Sequence, residues 1–462
     1  MIAPTAPLTR LMAQFATAVH AFPPLARNRA RDAVIDCVGC MLAGSREPLA
    51  APLREVTPAF DAPSAPFPAL LLGGSRYAAP ADAALFNGAI AHALDYDDTN
   101  HPAYAHPSAV IVPALLAVAP LTRASGSDFI DAYIVGFELF GKLGRAMNTQ
   151  HYKRGWHATG TFGALAAVVA AGRLLGLDAD RMTMAIGIAA SAACGLRASF
   201  GSMTKPLHAG YAARNGVLAA LLARSGFTAS AQALEHPYGY LGVFNAGIGH
   251  DPAPLETLGR DLEILTEYGL ALKPYPACGA THPGIEAAEE LHRAIEGAPI
   301  RSVRAGVCEM AFAPLIHVMP DSPLEGKFSL HFCIAAALVL GKVNLATFSE
   351  RNVADPRIRA LIPKISMELD PRWRDDGEFA TEVRVTTEDG ATHVKFVPLA
   401  RGKPARWFST AQLRDKFCDC AAAILTEDRW SAAWEALVGL DSQRPCALAL
   451  DSLVIRTCEP VR

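Results

Sequence analysis

Hydrophobic positions recur at helical spacing from the start of the chain. Leu8, Leu11, Met12, Phe15 and Val19 fall on one face, which predicts an amphipathic helix and not a secretory signal. The pattern over residues 127–147 predicts another. Phe129, Tyr133, Phe137 and Phe140 share a face, Ser127 is placed to cap, Asp128 suits the N-terminal dipole, and Lys142 and Arg145 suit the C-terminal end. Residues 161–176 are Ala- and Gly-rich on all sides, so that helix is expected to be enclosed by others. GIGHDPAPLE, 247–256, reads as a loop.

The period changes after about residue 270. Val303, Ala305, Val307 and Glu309 alternate as in a strand, and Ile365, Met367 and Leu369 suggest a second. Glu382–Thr387 and Thr392–Val397, joined through Asp389-Gly390, predict a hairpin. Helices are expected here at 282–295 and 328–341. After Pro404 the helical period returns. Ser409 or Thr410 can cap a helix carrying Leu413, Phe417, Ala421 and Ile424, and Trp430, Trp434 and Leu437 mark another. The fold class is therefore mainly α. Helical segments 1–268 and 405–462 flank a smaller α+β domain at 269–404.

A chain of 462 residues exceeds one ordinary core, and 51% hydrophobic against 19% charged residues describes a well-buried protein. The net charge of -3 favours neither nucleic acid nor an anionic membrane as partner. Apolar runs are interrupted by Pro113, Pro120, Arg173 and Gly341-Lys342, which excludes a membrane span. The ten cysteines, Cys458 among them, show no disulfide or zinc spacing. Cys37 and Cys40 lie within a helical apolar pattern and read as packed thiols, so a reducing cytoplasm is the simplest compartment.

Candidate chemistry concentrates at segment junctions. Residues 92–108 hold His92, Asp95, Asp97, Asp98, Thr99, His101, His106 and Ser108 directly before an apolar run. Ionisable groups beside a buried helix need partners, and such clusters serve proton transfer or metal chemistry. Asp97, Asp98 and Thr99 equally fit a turn or cap, and His92, His101 and His208 fit ordinary packed or surface histidines better than functional ones. His157 opens the Ala-rich helix in GWHATGT, and Lys205 precedes another in SMTKPLHAG. Lys273 and His282 lie in KPYPACGATH, and EGKFS at 325–329 is the fifth such segment. Lys205, Lys273, the imidazoles and the helix starts could together hold a polycarboxylate. A metal-dependent hydrolase with His92, Asp95, Asp98 and His106 as ligands is the alternative from another class.

HALDYDDT with HPS, GWHATGTFGALAAVVAAGRLLGL, MTKPLHAGYAARNGVLAALLA, KPYPACGATHPGIEAA and EGKFSLHFCIAAAL together resemble the MmgE/PrpD family, in order and over nearly the whole chain. That family includes 2-methylcitrate dehydratase, cis-aconitate decarboxylase and iminodisuccinate epimerase. The resemblance implies an all-helical domain built from both chain ends, an α+β lid domain, a homodimer, a site between the domains, and no metal, flavin or nicotinamide. Its site residues match Asp95, Thr99, His106, His157, Lys205 and His282 here. His106, His157, Lys205 and Asp95 are thus expected to carry catalysis, and Thr99, His282, Lys273 and His101 to bind substrate. The resemblance departs in two places: no lid tyrosine stands near Leu315-Ile316-His317, and HPAYAHPS is one residue longer.

The expected activity is a cofactor-independent hydro-lyase, dehydrating a citrate- or 2-methylcitrate-like acid by proton abstraction next to a carboxylate. Alternatives are an epimerase of an iminodisuccinate-like acid, a cis-aconitate-type decarboxylase, and a non-catalytic carboxylate binder. His106 and His157 are the acid–base candidates because imidazole titrates near neutrality. Asp95 is expected to orient a histidine, and Thr99 to donate to a carboxylate oxygen.

Overall fold

Small residues set the spacing of the helices in this computed structural model, which describes residues 7–61, 68–373, 378–446 and 451–454. Every residue of the helix Ala158–Leu174 except Arg173 is buried. The helices Pro80–Ala91 and Thr204–Arg224 meet at Gly88 and Gly210, and a Cβ on Gly210 would stand 2.3 Å from the Leu85 carbonyl oxygen. Larger side chains at these crossings would push the axes apart.

The chain divides into two compact units, Met1–Leu272 with Ser409–Arg462, and Lys273–Phe408. The first is helical apart from short strand pairs. Its first helix, Leu8–Thr17, buries Leu8 and Met12, but it ends before Val19, which is 98% exposed instead of continuing the apolar face. The helix Gly126–Met147 buries Phe129, Tyr133, Phe137 and Phe140 as the pattern predicts. Its cap is Ser125, not Ser127. Ser125 and Asp128 form a reciprocal capping box, which satisfies two backbone donors at once. The expected loop at 247–256 contains one helical turn, Ala253–Glu256. Cys37 and Cys40 are buried in the helix Pro24–Gly44, where they pack, and Cys458 lies outside the described residues.

The second unit is a four-stranded sheet with helices on it. Strand Ile300–Val307 pairs in parallel with Ile365–Leu369 and antiparallel with Thr381–Thr387, which in turn pairs with Thr392–Val397. The hairpin register runs from Thr381 opposite Val397 to Thr386 opposite Thr392. Burial alternates strictly along Thr381–Thr387, so Val383 and Val385 face the core with Val303, Val307, Ile285, Leu291 and Phe332. Glu309 leaves the strand for a short 3-10 turn, and Ile424 falls beyond the helix Thr410–Ala421. Ser329 caps the helix Leu330–Leu340, and Gly341 ends it at φ 75°, a left-handed geometry that glycine adopts without steric cost. Among the described residues no helix is long and apolar enough to cross a membrane.

Within the first unit, one buried ion pair ties the C-terminal segment to the N-terminal part of the chain. Lys416 Nζ stands 2.6 Å from Asp36 Oδ1 and donates to the Tyr96 carbonyl at 2.8 Å. Burial pushes the Asp36 carboxyl up to about 6, against the pull of Lys416. Removing one partner of such a pair strands the other. Lys416→Met is therefore expected to cost about 3–5 kcal/mol of stability, with Asp36→Leu in the same chain restoring most of it. Denaturant unfolding of the single and double variants measures both, and an unchanged midpoint for the single variant would remove the pair from this role.

Candidate active site

The segment after the helix Pro80–Ala91 folds back across its own end. Asp95 takes φ 53°, an uncommon conformation for a non-glycine residue. The carbonyl of Tyr96 is held by Lys416. Thr99–Asn100 pairs with Leu270–Ala271, the Asn100 amide donates to the Gly269 carbonyl at 3.2 Å, and the His101 N–H donates to Tyr268 at 3.2 Å. These bonds fix the backbone on both sides of three consecutive polar residues.

Each of the neighbouring carboxylates has a different task. Asp98 caps the helix Ser108–Val118. Its Oδ1 accepts from the Ser108 N–H at 3.0 Å and its Oδ2 from the Ser108 hydroxyl at 2.6 Å, with Tyr133 beyond. Burial holds its carboxyl well above the usual range. Asp97 is fully buried between two imidazoles. His92 Nδ1 lies 3.0 Å from both of its oxygens, and His106 Nδ1 lies 3.3 Å from Oδ2 and 2.9 Å from the Asp98 carbonyl. Both Nδ1 atoms face acceptors, so each carries hydrogen, and Nε2 is left bare in the neutral ring. Asp95 turns the other way. Its Oδ1 is 2.7 Å from Lys205 Nζ and 3.8 Å from His106 Nε2.

Two helix starts complete the cluster. His157 precedes the helix Ala158–Leu174, and its N–H donates to Gly195 at 3.0 Å. A Cβ on Gly160 would meet the Cys194 carbonyl at 2.2 Å, so only glycine lets the 194–195 backbone lie this close. The hydroxyl of Thr159 accepts from the His106 N–H at 3.2 Å, which links this helix to the acidic segment. Lys205 lies inside the first turn of the helix Thr204–Arg224 instead of preceding it. That places His208 one turn further on, with its Nδ1 3.0 Å from His157 Nδ1. The rings of His92 and His106 are 4.3 Å apart, and those of His92 and His157 are 5.9 Å apart. Phe200 packs edge-on against His157 and lies under the Lys205 ammonium.

The structure thus brings His106, His157, Lys205 and Asp95 into one cluster. Thr99 lies on the short strand beside them, and the His101 ring packs against Tyr104 and Tyr268. Lys273 and His282 belong to the second unit. There His282 begins the helix His282–Ile295, its Nε2 lies 3.0 Å from the Ala277 carbonyl, and its ring meets Tyr275 edge-on. Lys273 is buried, at 6% exposure. Sequence reasoning placed the orienting carboxylate at Asp95, whereas Asp97 holds the two imidazoles. It also left His92 and His208 as ordinary histidines. The four-ligand metal set is not assembled as expected, since Asp98 caps a helix and Asp95 pairs with Lys205. His92, Asp97 and His106 do place possible ligand atoms within 4.8 Å of one another, but both Nδ1 atoms and the carboxylate are engaged with one another as hydrogen-bond donors and acceptor.

The electrostatics separate buried neutral rings from a charged rim. Burial pushes His92 down to about 4, against the pull of Asp97. A neutral ring still donates from Nδ1, and Asp97 stays ionised. Burial opposes that ionisation, but the imidazoles of His92 and His106 outweigh it and hold the carboxyl far below its usual range. His157 is held well below the ordinary imidazole value, by burial first and then by His92, Lys205 and the neighbouring rings. The side chains of His106, Asp95 and Lys205 keep 13%, 18% and 19% exposure, so solvent reaches the rim. Such a cluster can hold an anion on Lys205 and exchange protons through bare Nε2 atoms. Asp97→Asn would turn an amide donor toward one of two Nδ1–H donors. A loss of about 1–3 kcal/mol is expected in denaturant unfolding, and an unchanged midpoint would show that the carboxylate does not serve both rings.

Comparison with known proteins agrees with this arrangement of motifs. Residues 10–252 match the MmgE/PrpD N-terminal domain, and residues 275–441 match the MmgE/PrpD C-terminal domain. Cis-aconitate decarboxylase of Aspergillus terreus (strain NIH 2624 / FGSC A1156) is 30% identical over 443 residues, covering 90% of this chain and 89% of the relative. The Homo sapiens cis-aconitate decarboxylase is 30% identical over 380 residues, 80% of this chain and 78% of its own length. The 2-methylcitrate dehydratase of Cupriavidus necator is 27% identical over 396 residues, 79% of each. With both domain models matched in order and relatives aligned along most of its length, the chain belongs to the MmgE/PrpD family.

Proposed function

We propose that this protein is a lyase acting on a small polycarboxylate, with proton transfer at a carbon next to a carboxylate and no cofactor in the chemistry. One observation carries the reading. A single carboxylate oxygen, Asp95 Oδ1, touches the Lys205 ammonium and faces His106 Nε2 on the solvent-reached side of the cluster. The ion pair between Lys205 and the protein's own aspartate supports Lys205 as the group that a substrate carboxylate would meet. A substrate carboxylate competing for Lys205 would bring its neighbouring carbon toward the imidazoles.

The same groups serve each reaction of the family. In decarboxylation the carbon–carboxylate bond breaks, carbon dioxide leaves, and the electron pair left behind takes a proton from an imidazole that solvent has first protonated at Nε2. In dehydration a bare Nε2 takes the proton next to a carboxylate, and the departing hydroxide leaves as water with a proton from the second imidazole, which solvent has first protonated at Nε2. Lys205 stabilises the negative charge that builds on the carboxylate oxygens in both cases. Decarboxylation of a cis-aconitate-type acid stands first, because the relatives at 30% identity carry that name. Dehydration of a citrate-type acid stands second, on the 27% relative. In this reading His106 and His157 exchange protons, Thr99 and His101 contact substrate, and His282 and Lys273 bind carboxylates, the last two on motif resemblance alone. The homodimer and the reducing cytoplasm belong to the same reading.

Incubation with citrate, 2-methylcitrate, cis-aconitate and iminodisuccinate in deuterated water, followed by proton NMR, tests it. Consumption of cis-aconitate with deuterium entering the product is expected. A new alkene from a citrate would favour dehydration, exchange without alkene would favour epimerisation, and an unchanged panel would sink the reading. With the active substrate, His157→Ala is expected to lower kcat by about a hundredfold or more. Lys205→Met is expected to raise KM and to lower kcat together, since Lys205 both binds the carboxylate and stabilises the charge that builds on it. A change of only a fewfold in kcat takes His157 out of the catalytic set.

A further inference from the structure

One buried ring of the cluster has an unusual partner. Asp97 serves His92 and His106, but an imidazole serves His157. His157 Nδ1 and His208 Nδ1 stand 3.0 Å apart, and the two residues are 1% and 5% exposed. Two ring nitrogens at that distance share one hydrogen, so in the neutral pair the donor ring has a bare Nε2. The backbone walls the pair in. A Cβ on Gly195 would lie 3.4 Å from His208 Cγ and 3.5 Å from His157 Cβ, and one on Gly160 would lie 3.4 Å from His208 Cβ.

Resting on the lyase reading, we propose that His208 is the proton-relay partner of His157: the hydrogen between their Nδ1 atoms passes to His208 as His157 Nε2 takes a proton from substrate. The balance is simple. Before the step His157 carries hydrogen on Nδ1 only and His208 on Nε2 only. Afterwards His157 carries hydrogen on Nε2 only, and His208 carries it on both nitrogens as the imidazolium. One positive charge appears on His208 as one negative charge appears on substrate. The return step reverses the transfer and hands the His157 Nε2–H to substrate carbon; dehydration uses the forward transfer, and decarboxylation uses the return step alone, starting from a pair that has taken its extra proton from solvent.

The surroundings favour this displacement. His157 is faced by the His92 ring, by Phe200 and by the Lys205 ammonium, and it is held well below the ordinary imidazole value by burial first and then by those neighbours. His208 feels burial and Lys205 and is also lowered, without reaching that extreme. An imidazolium is accordingly easier to hold one ring further on. The relay needs no carboxylate beside His157, where an anion would oppose enolate formation on the substrate. His208 touches no reacting atom in this scheme and is a positioning residue that also moves a proton.

His208→Asn tests the relay. The amide oxygen can accept the His157 Nδ1–H and hold its tautomer, but it cannot take the proton. We expect kcat to fall about ten- to a hundredfold with KM within about threefold, and a proton inventory that is curved in the wild type to become linear. A wholly structural His208 would lower stability and leave the shape of the inventory unchanged, which would overturn the relay. An independent readout covers a variant that folds poorly. Proton–nitrogen spectra of the wild-type chain labelled with 15N-histidine should show a slowly exchanging imidazole N–H that disappears in His157→Asn and shifts, without being lost, in His208→Asn, where an amide oxygen replaces the ring nitrogen as acceptor. Absence of that shared hydrogen overturns the relay whatever the activity. A wild type inert to every polycarboxylate sinks the lyase reading instead, and the spectra still judge the pair.

Discussion

A carboxylate with no access to solvent, held between two imidazole N–H groups, is the constraint around which the cluster is built. Asp97 cannot stay ionised in an apolar interior without donors. His92 and His106 supply them, and in doing so they surrender Nδ1 and leave Nε2 pointing away from the carboxylate. The ring orientations, the tautomers and the spacing of the imidazoles follow from that demand. Asp98, one residue on, meets the same interior differently. It caps a helix through both of its oxygens, and burial holds its carboxyl well above the usual range.

Holding such a loop requires support from outside it. Lys416, far along the chain, spans Asp36 and the Tyr96 carbonyl, so the C-terminal helix Thr410–Ala421 supports the acidic segment from behind. Glycines at 88, 160 and 210 let backbones approach until His157, His208 and Lys205 share one neighbourhood. The Ala-rich helices are in this sense part of the chemistry. Their small side chains carry no reactive atom, yet larger ones would part the rings by more than a hydrogen bond can span.

Much of the architecture was legible along the chain because local rules agree with the fold. The aromatic face of Gly126–Met147, the Asp389-Gly390 hairpin and the helix beginning near Ser409 each rest on periodicity and short-range turn chemistry. Where neighbouring capping residues compete, local rules lose resolution. Ser125 and Ser127 are both eligible, and the geometry of Asp128 chose Ser125. Val19 kept the helical spacing but lay past the helix end, where no partner buries it.

Residue types and their order determined the family, the helical character and the identity of the polar segments, because periodicity and motif are properties of neighbours along the chain. Tertiary structure alone decided which aspartate orients the imidazoles, that Asp95 belongs to Lys205, and that His208 faces His157. Those choices depend on side-chain direction across contacts up to 110 residues apart in sequence. Burial then set the charge of each group, since an aspartate in a helix cap and an aspartate between two imidazoles are the same letter until the interior closes around them.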